Sequence, residues 1–188
     1  CHFKTRNGEY KRSCHESSIR IPLAIRGPGF DGGGSLRQMV SLIDVPPTML
    51  DAAGIQAPAE MQGRSILPLL RGQAADWPDD VFVQISESQM GRAVRTGRWK
   101  YGVTAPNNKP SDVHAARYVE QYLYDLLADP YELTNLVGSP SLAGVRAVMR
   151  KRLLKRMAEA GEPPVVIEPA PEDPKARDRQ ITAAEALL

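Results

Sequence analysis

Two apolar periods meet in this chain, and together they leave few folds open. Val81, Val83 and Ile85 alternate with Phe82, Gln84 and Ser86, and residues 93–96, 99–103 and 122–126 follow with the same character. A period of two sends successive side chains to opposite faces of a strand. Thr96-Gly97 supplies a tight turn between two of these runs, and residues 104–116 form a longer polar connection. The prediction is a small antiparallel sheet. The period then lengthens. Leu142, Val145, Met149, Leu153 and Met157 fall at helical spacing, with Gly161 placed to end the helix. Such a stripe has to be buried, and the sheet offers a face for it.

Upstream of residue 81 the signals are shorter. Residues 1–18 are polar and read as a loop. Residues 19–25, Ile-Arg-Ile-Pro-Leu-Ala-Ile, read as a strand that Pro22 confines to an edge or a bulge. Asp44 is placed to cap a helix over 44–54, with Pro46 and Pro47 in its first turn and Gly54 at its end. A second short helix is predicted between Ser65 and Gly72, followed by a linker around Trp77-Pro78. The glycine run 27–34 lacks the Lys-Ser/Thr of a phosphate-binding loop and reads as a turn. Sixteen prolines in 188 residues argue for many turns and against a long helical bundle. Five of them lie in 162–188, where a loosely held, charged tail is expected.

Charge narrows the partners. Lys and Arg number 24 against 22 Asp and Glu, a net +2, which does not call for nucleic acid or a membrane surface. No apolar run approaches the ~18 residues of a membrane-spanning helix. The basic run Arg146, Arg150, Lys151, Arg152, Lys155, Arg156 lacks interleaved aromatics and fits the solvated face of an amphipathic helix. Cys1-His2 and Cys14-His15 have the residue types of a zinc site, but adjacent side chains diverge and the pairing does not match structural zinc spacing. Three histidines and no Gly-x-Ser-x-Gly elbow give no nucleophile, base and oxyanion site together. Lys11 alone reads as a surface lysine, and Glu16 with Arg20 as an i, i+4 ion pair if that stretch is helical.

Five blocks in register carry a more specific signal. Lys11-Arg12-Ser13-Cys14-His15-Glu16 leading to Arg20-Ile21-Pro22 resembles a segment of the sulfatases, a Lys, a Glu five positions on, then Arg-x-Pro. Ser41–Thr48 with Ala53-Gly54-Ile55, then Gln62-Gly63-Arg64-Ser65-Ile66-Leu67-Pro68-Leu69-Leu70, resemble the segments that follow it. Arg92–Tyr101, and Leu123-Tyr124-Asp125-Leu126 with Asp129-Pro130-Tyr131-Glu132 and Asn135-Leu136, are similar to the hairpin and closing strand of the family's C-terminal subdomain.

The resemblance implies an α/β fold, the C-terminal part of an alkaline-phosphatase-like sulfatase, with a small antiparallel sheet packed against a C-terminal helix. Residues 1–78 would end the main domain, 79–160 would be the subdomain and 161–188 the tail. By resemblance Lys11 contacts the sulfate group, where a cation stabilises charge growing on the oxygens. Glu16 and Arg20 would support that loop, with His15 beside them. The family's nucleophile, a Cys-x-Pro/Ala-x-Arg cysteine oxidised to formylglycine, has no counterpart at Cys1 or Cys14. The resemblance places nucleophile and calcium ligands in an N-terminal half upstream of Cys1. Calcium is therefore expected in the full-length enzyme and no metal on these residues, and the 188-residue chain alone is expected to be inactive. Two other readings remain: a related phosphate- or phosphonate-ester hydrolase, and a non-catalytic binding module derived from a sulfatase.

Overall fold

The computed structural model describes residues 12–73, 75–87, 89–109 and 112–172. Its elements run, in chain order, α1 (Glu16–Ile19), a 3-10 turn (Leu42–Asp44), α2 (Val45–Ala52), α3 (Leu67–Leu70), β1 (Asp80–Ser86), β2 (Met90–Thr96), β3 (Trp99–Thr104), β4 (Arg117–Asp125), a 3-10 turn (Pro140–Leu142), α4 (Ala143–Glu159) and β5 (Val166–Glu168). They fall into two compact units. One comprises the chain up to Ile21 and from Phe82 onward; the other is Pro22–Val81.

The first unit is built on one sheet of order β1-β2-β3-β4-β5. β3 pairs antiparallel with both β2 and β4, whereas β5 pairs parallel with β4. The sheet is thus mixed: the antiparallel pairings predicted from period are present, and β5 adds a parallel one. The extra strand comes from the stretch expected to be a loose tail. Val166, Ile167 and Glu168 sit opposite Arg117, Tyr118 and Val119, and Ile167 is buried. A β-branched run beside an edge full of unpaired backbone groups outweighs the surrounding prolines. Residues 173–188 of that tail lie outside the described residues.

Both faces of the sheet are covered. On one, Val94, Trp99, Tyr101 and Val103 pack with Leu142, Val145, Met149, Leu153 and Met157, the five residues whose spacing predicted the helix. On the other, Cys14 joins Ala93, Tyr122, Tyr124 and Leu126. A bulge sorts β4 between the two. Val103 faces Glu120 and Gly102 faces Tyr122, so Gln121 is an extra residue. Its carbonyl accepts the Asn135 amide at 2.9 Å, and Asn135 Oδ1 accepts the Leu123 N–H at 3.0 Å. The bulge lets Tyr118, Glu120 and Leu123 share the α4 face while Tyr122 and Tyr124 take the other. Gly102 is required beneath that ring, because a Cβ there would overlap Tyr122.

The basic run on α4 is not all solvated. Arg150 Nη2 lies 2.5 Å from Glu120 Oε1, and Arg146 donates to the Ser139 carbonyl at 2.5 Å, with Glu120 Oε2 3.7 Å from its Nε. Tyr101 Oη also donates to Glu120, at 2.9 Å. Lys151 and Lys155 are exposed as expected.

In the second unit, α2 and α3 form where the prolines and glycines predicted short helices. Asp44 does not cap α2. Its Oδ2 accepts the Ser41 N–H at 2.8 Å, closing a capping box on the preceding turn, and its Oδ1 accepts the Arg64 N–H at 2.9 Å. Thr48 ties the two helices together by accepting the Ile66 N–H at 3.0 Å. Gly63 passes so near the Ile43 carbonyl that a Cβ would overlap it. The strand predicted for 19–25 is not formed. α1 takes its first residue, Pro22 has no N–H to give, and no strand among the described residues pairs with it. Ile21, Leu23, Leu42, Ile43, Met49 and Ile55 are all exposed.

Gly102→Ala is expected to destabilise the protein by about 1–3 kcal/mol through overpacking against Tyr122. Gly144→Ala, with open space at its Cβ position in α4, serves as the control and should be neutral or slightly stabilising. Urea midpoints of the two variants check this.

Candidate functional site

Arg95 and Lys100 sit directly opposite one another across β2 and β3. Like charges in that relation repel, and the Lys100 side chain is fully buried. Two carboxylates from outside the sheet resolve the conflict. Glu16 Oε1 lies 2.8 Å from Lys100 Nζ and 3.5 Å from Arg95 Nε. Glu132 Oε1 lies 2.5 Å from Lys100 Nζ. Two cations therefore meet two carboxylates, and the cluster is neutral.

Glu132 does a second thing. Its Oε2 accepts the backbone N–H of Glu16 at 2.8 Å. Glu16 opens α1, whose N-cap His15 makes no side-chain capping hydrogen bond. The helix start is thus capped from 116 positions away along the chain. Glu132 itself has φ 56°, the left-handed region, which a side chain other than glycine adopts at a cost of about 1–2 kcal/mol.

The segment before α1 lies over two tyrosines. The rings of Tyr122 and Tyr124 stack at 5.5 Å, and the His15 ring lies 5.2 and 5.8 Å from them. His15 Nε2 is 3.4 Å from Tyr124 Oη. Cys14 is buried against Tyr122, and Ser13 and Ser18 share a hydroxyl bond of 3.0 Å. Arg12 reaches Glu87 at 3.2 Å on the exposed rim.

Burial sets the protonation states. Desolvation pushes the Cys14 thiol up to about 11, only partly countered by the Tyr122 hydroxyl and by Lys100. It is a neutral thiol near pH 7 and no nucleophile. Burial alone would raise the Glu16 carboxyl, but Lys100 and Arg95 outweigh it and hold Glu16 below its usual 4.5. Tyr122 is pushed well above the usual phenol value by burial, then by Cys14 and Glu132. The Lys100 ammonium is paired with two carboxylates. The cluster can hold a segment in place, and it offers no free acid, base or nucleophile.

Of the residues picked from sequence, Glu16 and His15 are brought together here. Glu16 pairs with Lys100 and Arg95 instead of Arg20, which is exposed at the end of α1. Lys11, Cys1 and His2 lie outside the described residues. Sequence reasoning missed Lys100, Arg95 and Glu132 as a group. A signal was present, for Lys100 sits between Trp99 and Tyr101 in a strand predicted to be half buried. Among the described residues, no group of three or more His, Cys, Asp or Glu side chains is gathered to hold a metal ion. No helix among them is long and apolar enough to cross a membrane.

Residues 8–159 match the family model described as N-sulphoglucosamine sulphohydrolase, C-terminal. The chain belongs to the sulfatase family. Mouse arylsulfatase K is 35% identical over 137 residues, covering 68% of this chain and 23% of that protein. The N-acetylglucosamine-6-O-sulfatase of Bacteroides thetaiotaomicron is 31% identical over 138 residues, 71% of this chain and 24% of the relative. This sulfatase chain therefore spans about a quarter of the length of those relatives. A solved structure of a protein in complex with its substrate D-glucosamine-2-N,6-O-disulfate superimposes with TM-score 0.54 at 24% identity. It covers 63% of this chain and 24% of its own, and shows the fold.

Two outcomes are expected. Glu16 has a lowered folded value, so its contribution is complete above 4.5 and is lost as pH falls through that lower value. Glu16→Gln should therefore be less stable than the parent at about pH 7, and the two should converge in urea melts as pH is lowered below 4.5. In a Cys1→Ser background, Cys14 should resist thiol labelling at about pH 8 until urea unfolds the protein. Labelling of the folded protein at the rate of a free thiol would contradict the burial.

Proposed function

We propose that the chain is the C-terminal part of an enzyme that hydrolyses sulfate esters to an alcohol and free sulfate. The match over residues 8–159 carries this reading, since it spans the segment holding both Lys11 and Glu16. In it, residues 1–78 end the main α/β domain and 79–160 form the subdomain. Lys11 binds non-bridging sulfate oxygens and stabilises the charge that develops as the ester bond breaks. Glu16, fixed by Lys100 and Glu132, supports that segment, and the rest of the protein supplies the formylglycine and the calcium. The names of the matching family model and of the Bacteroides relative point to sulfated amino sugars as the substrate class.

The test uses the protein as it occurs in its source, with sulfate release measured from an aryl sulfate and from N-acetylglucosamine 6-sulfate. Lys11→Ala should lower kcat/KM by about 10²–10³-fold, the usual effect of removing one charge-stabilising donor. The isolated 188-residue chain should release no sulfate. Release of phosphate from a phosphomonoester in place of sulfate would assign the related phosphate-ester activity. No turnover of either by the source protein would leave the binding-module reading.

A further inference from the structure

We propose that Lys100, Glu132 and Arg95 are positioning residues for the ester hydrolysis, acting through Glu16 on the segment that follows Lys11. This rests on the reading of the chain as part of a sulfatase. Three observations carry it. First, the cluster joins three separate parts of the chain, the β2–β3 hairpin, the turn after β4 and α1, at one buried ammonium. Second, it grips both ends of one residue. Glu132 takes the Glu16 backbone N–H at 2.8 Å, while Lys100 and Arg95 take its carboxylate at 2.8 and 3.5 Å. A residue held by main chain and side chain together has less freedom to reorient, which restrains the residues just before α1. Third, the construction is unfavourable for stability alone. It buries an ammonium completely and holds Glu132 in the left-handed region at φ 56°. Apolar packing would serve a purely structural contact at lower cost, and strained buried polar groups of this kind cluster where geometry matters for chemistry.

Lys11 lies five positions before Glu16 in the sequence. A loosened clamp would let a cation aimed at the sulfate group wander, and small misplacements of such groups are costly in rate.

A double-mutant cycle with sulfate release as the readout tests the idea in the full-length protein. Glu132→Gln keeps the shape but cannot accept from both Lys100 and the Glu16 N–H. It should lower kcat by about 10–100-fold in the parent and by under about 2-fold in the Lys11→Ala background. An equal loss in both backgrounds, or full activity in the parent, overturns the proposal. Arg117→Ala, which breaks an exposed ion pair to Glu168 on the sheet edge, is the control and should keep parental activity. If Glu132→Gln does not fold, Arg95→Gln carries the same cycle, since that side chain is part-exposed. If Lys11→Ala keeps parental turnover, the functional reading of Lys11 fails separately. The clamp is then decided by amide hydrogen exchange over residues 15–19. Faster exchange in Glu132→Gln supports it, and unchanged exchange overturns it.

Discussion

An ammonium with no access to water dominates the first unit. Burying Lys100 costs several kcal/mol, repaid only where geometry and charge are matched closely. That single requirement explains why the segment at 13–19 lies on the sheet and why the turn at Glu132 accepts an unfavourable backbone angle. The same construction recurs. Arg92, buried on β2, is met by Glu162 from beyond α4 and donates further to the Ile85 and Val113 carbonyls at 3.1 and 3.0 Å. Glu120, buried on β4, is met by Arg150 and Arg146 from α4. In each case one charge belongs to the sheet and its counter-charge to an element that covers the sheet. Hydrophobic contact makes the layers stick, and the ion pairs fix where along the sheet each layer sits.

Period and spacing predicted much of this unit. The strands around Val83, Val94 and Tyr101, the turn at Thr96-Gly97 and every buried apolar residue of α4 follow from alternation or helical recurrence, which are local properties. What period cannot convey is which cation meets which acid. Glu16 and Glu132 are far apart in the chain, and each in isolation looks like an ordinary surface glutamate. The bulge at Gln121 was hidden for a related reason. Tyr118, Glu120, Tyr122 and Tyr124 keep a spacing of two, yet the extra residue sends the first two to one face and the last two to the other.

The second unit shows the opposite balance. Its helix punctuation is legible because prolines and glycines act through their own backbones. The strand expected at 19–25 fails because a strand is defined by its neighbours. Ile21, Leu23 and Ile25 have the composition of a strand, and their exposure shows how little composition alone supplies. Family resemblance came from blocks in fixed order, and it marked Lys11 and Glu16 without indicating the buried lysine that holds the second of them.

The parallel strand β5 has a consequence for solubility. A sheet's outermost strand offers its free N–H and C=O groups to any passing chain, and long flat edges seed aggregation. Here that border is three residues long and is bracketed by Pro163 and Pro164 on one side and Pro169 and Pro171 on the other. Proline has no N–H to donate, so an intruding strand finds almost no ladder to extend. The prolines that make this stretch look like an idle tail are what close the sheet to self-association along β5.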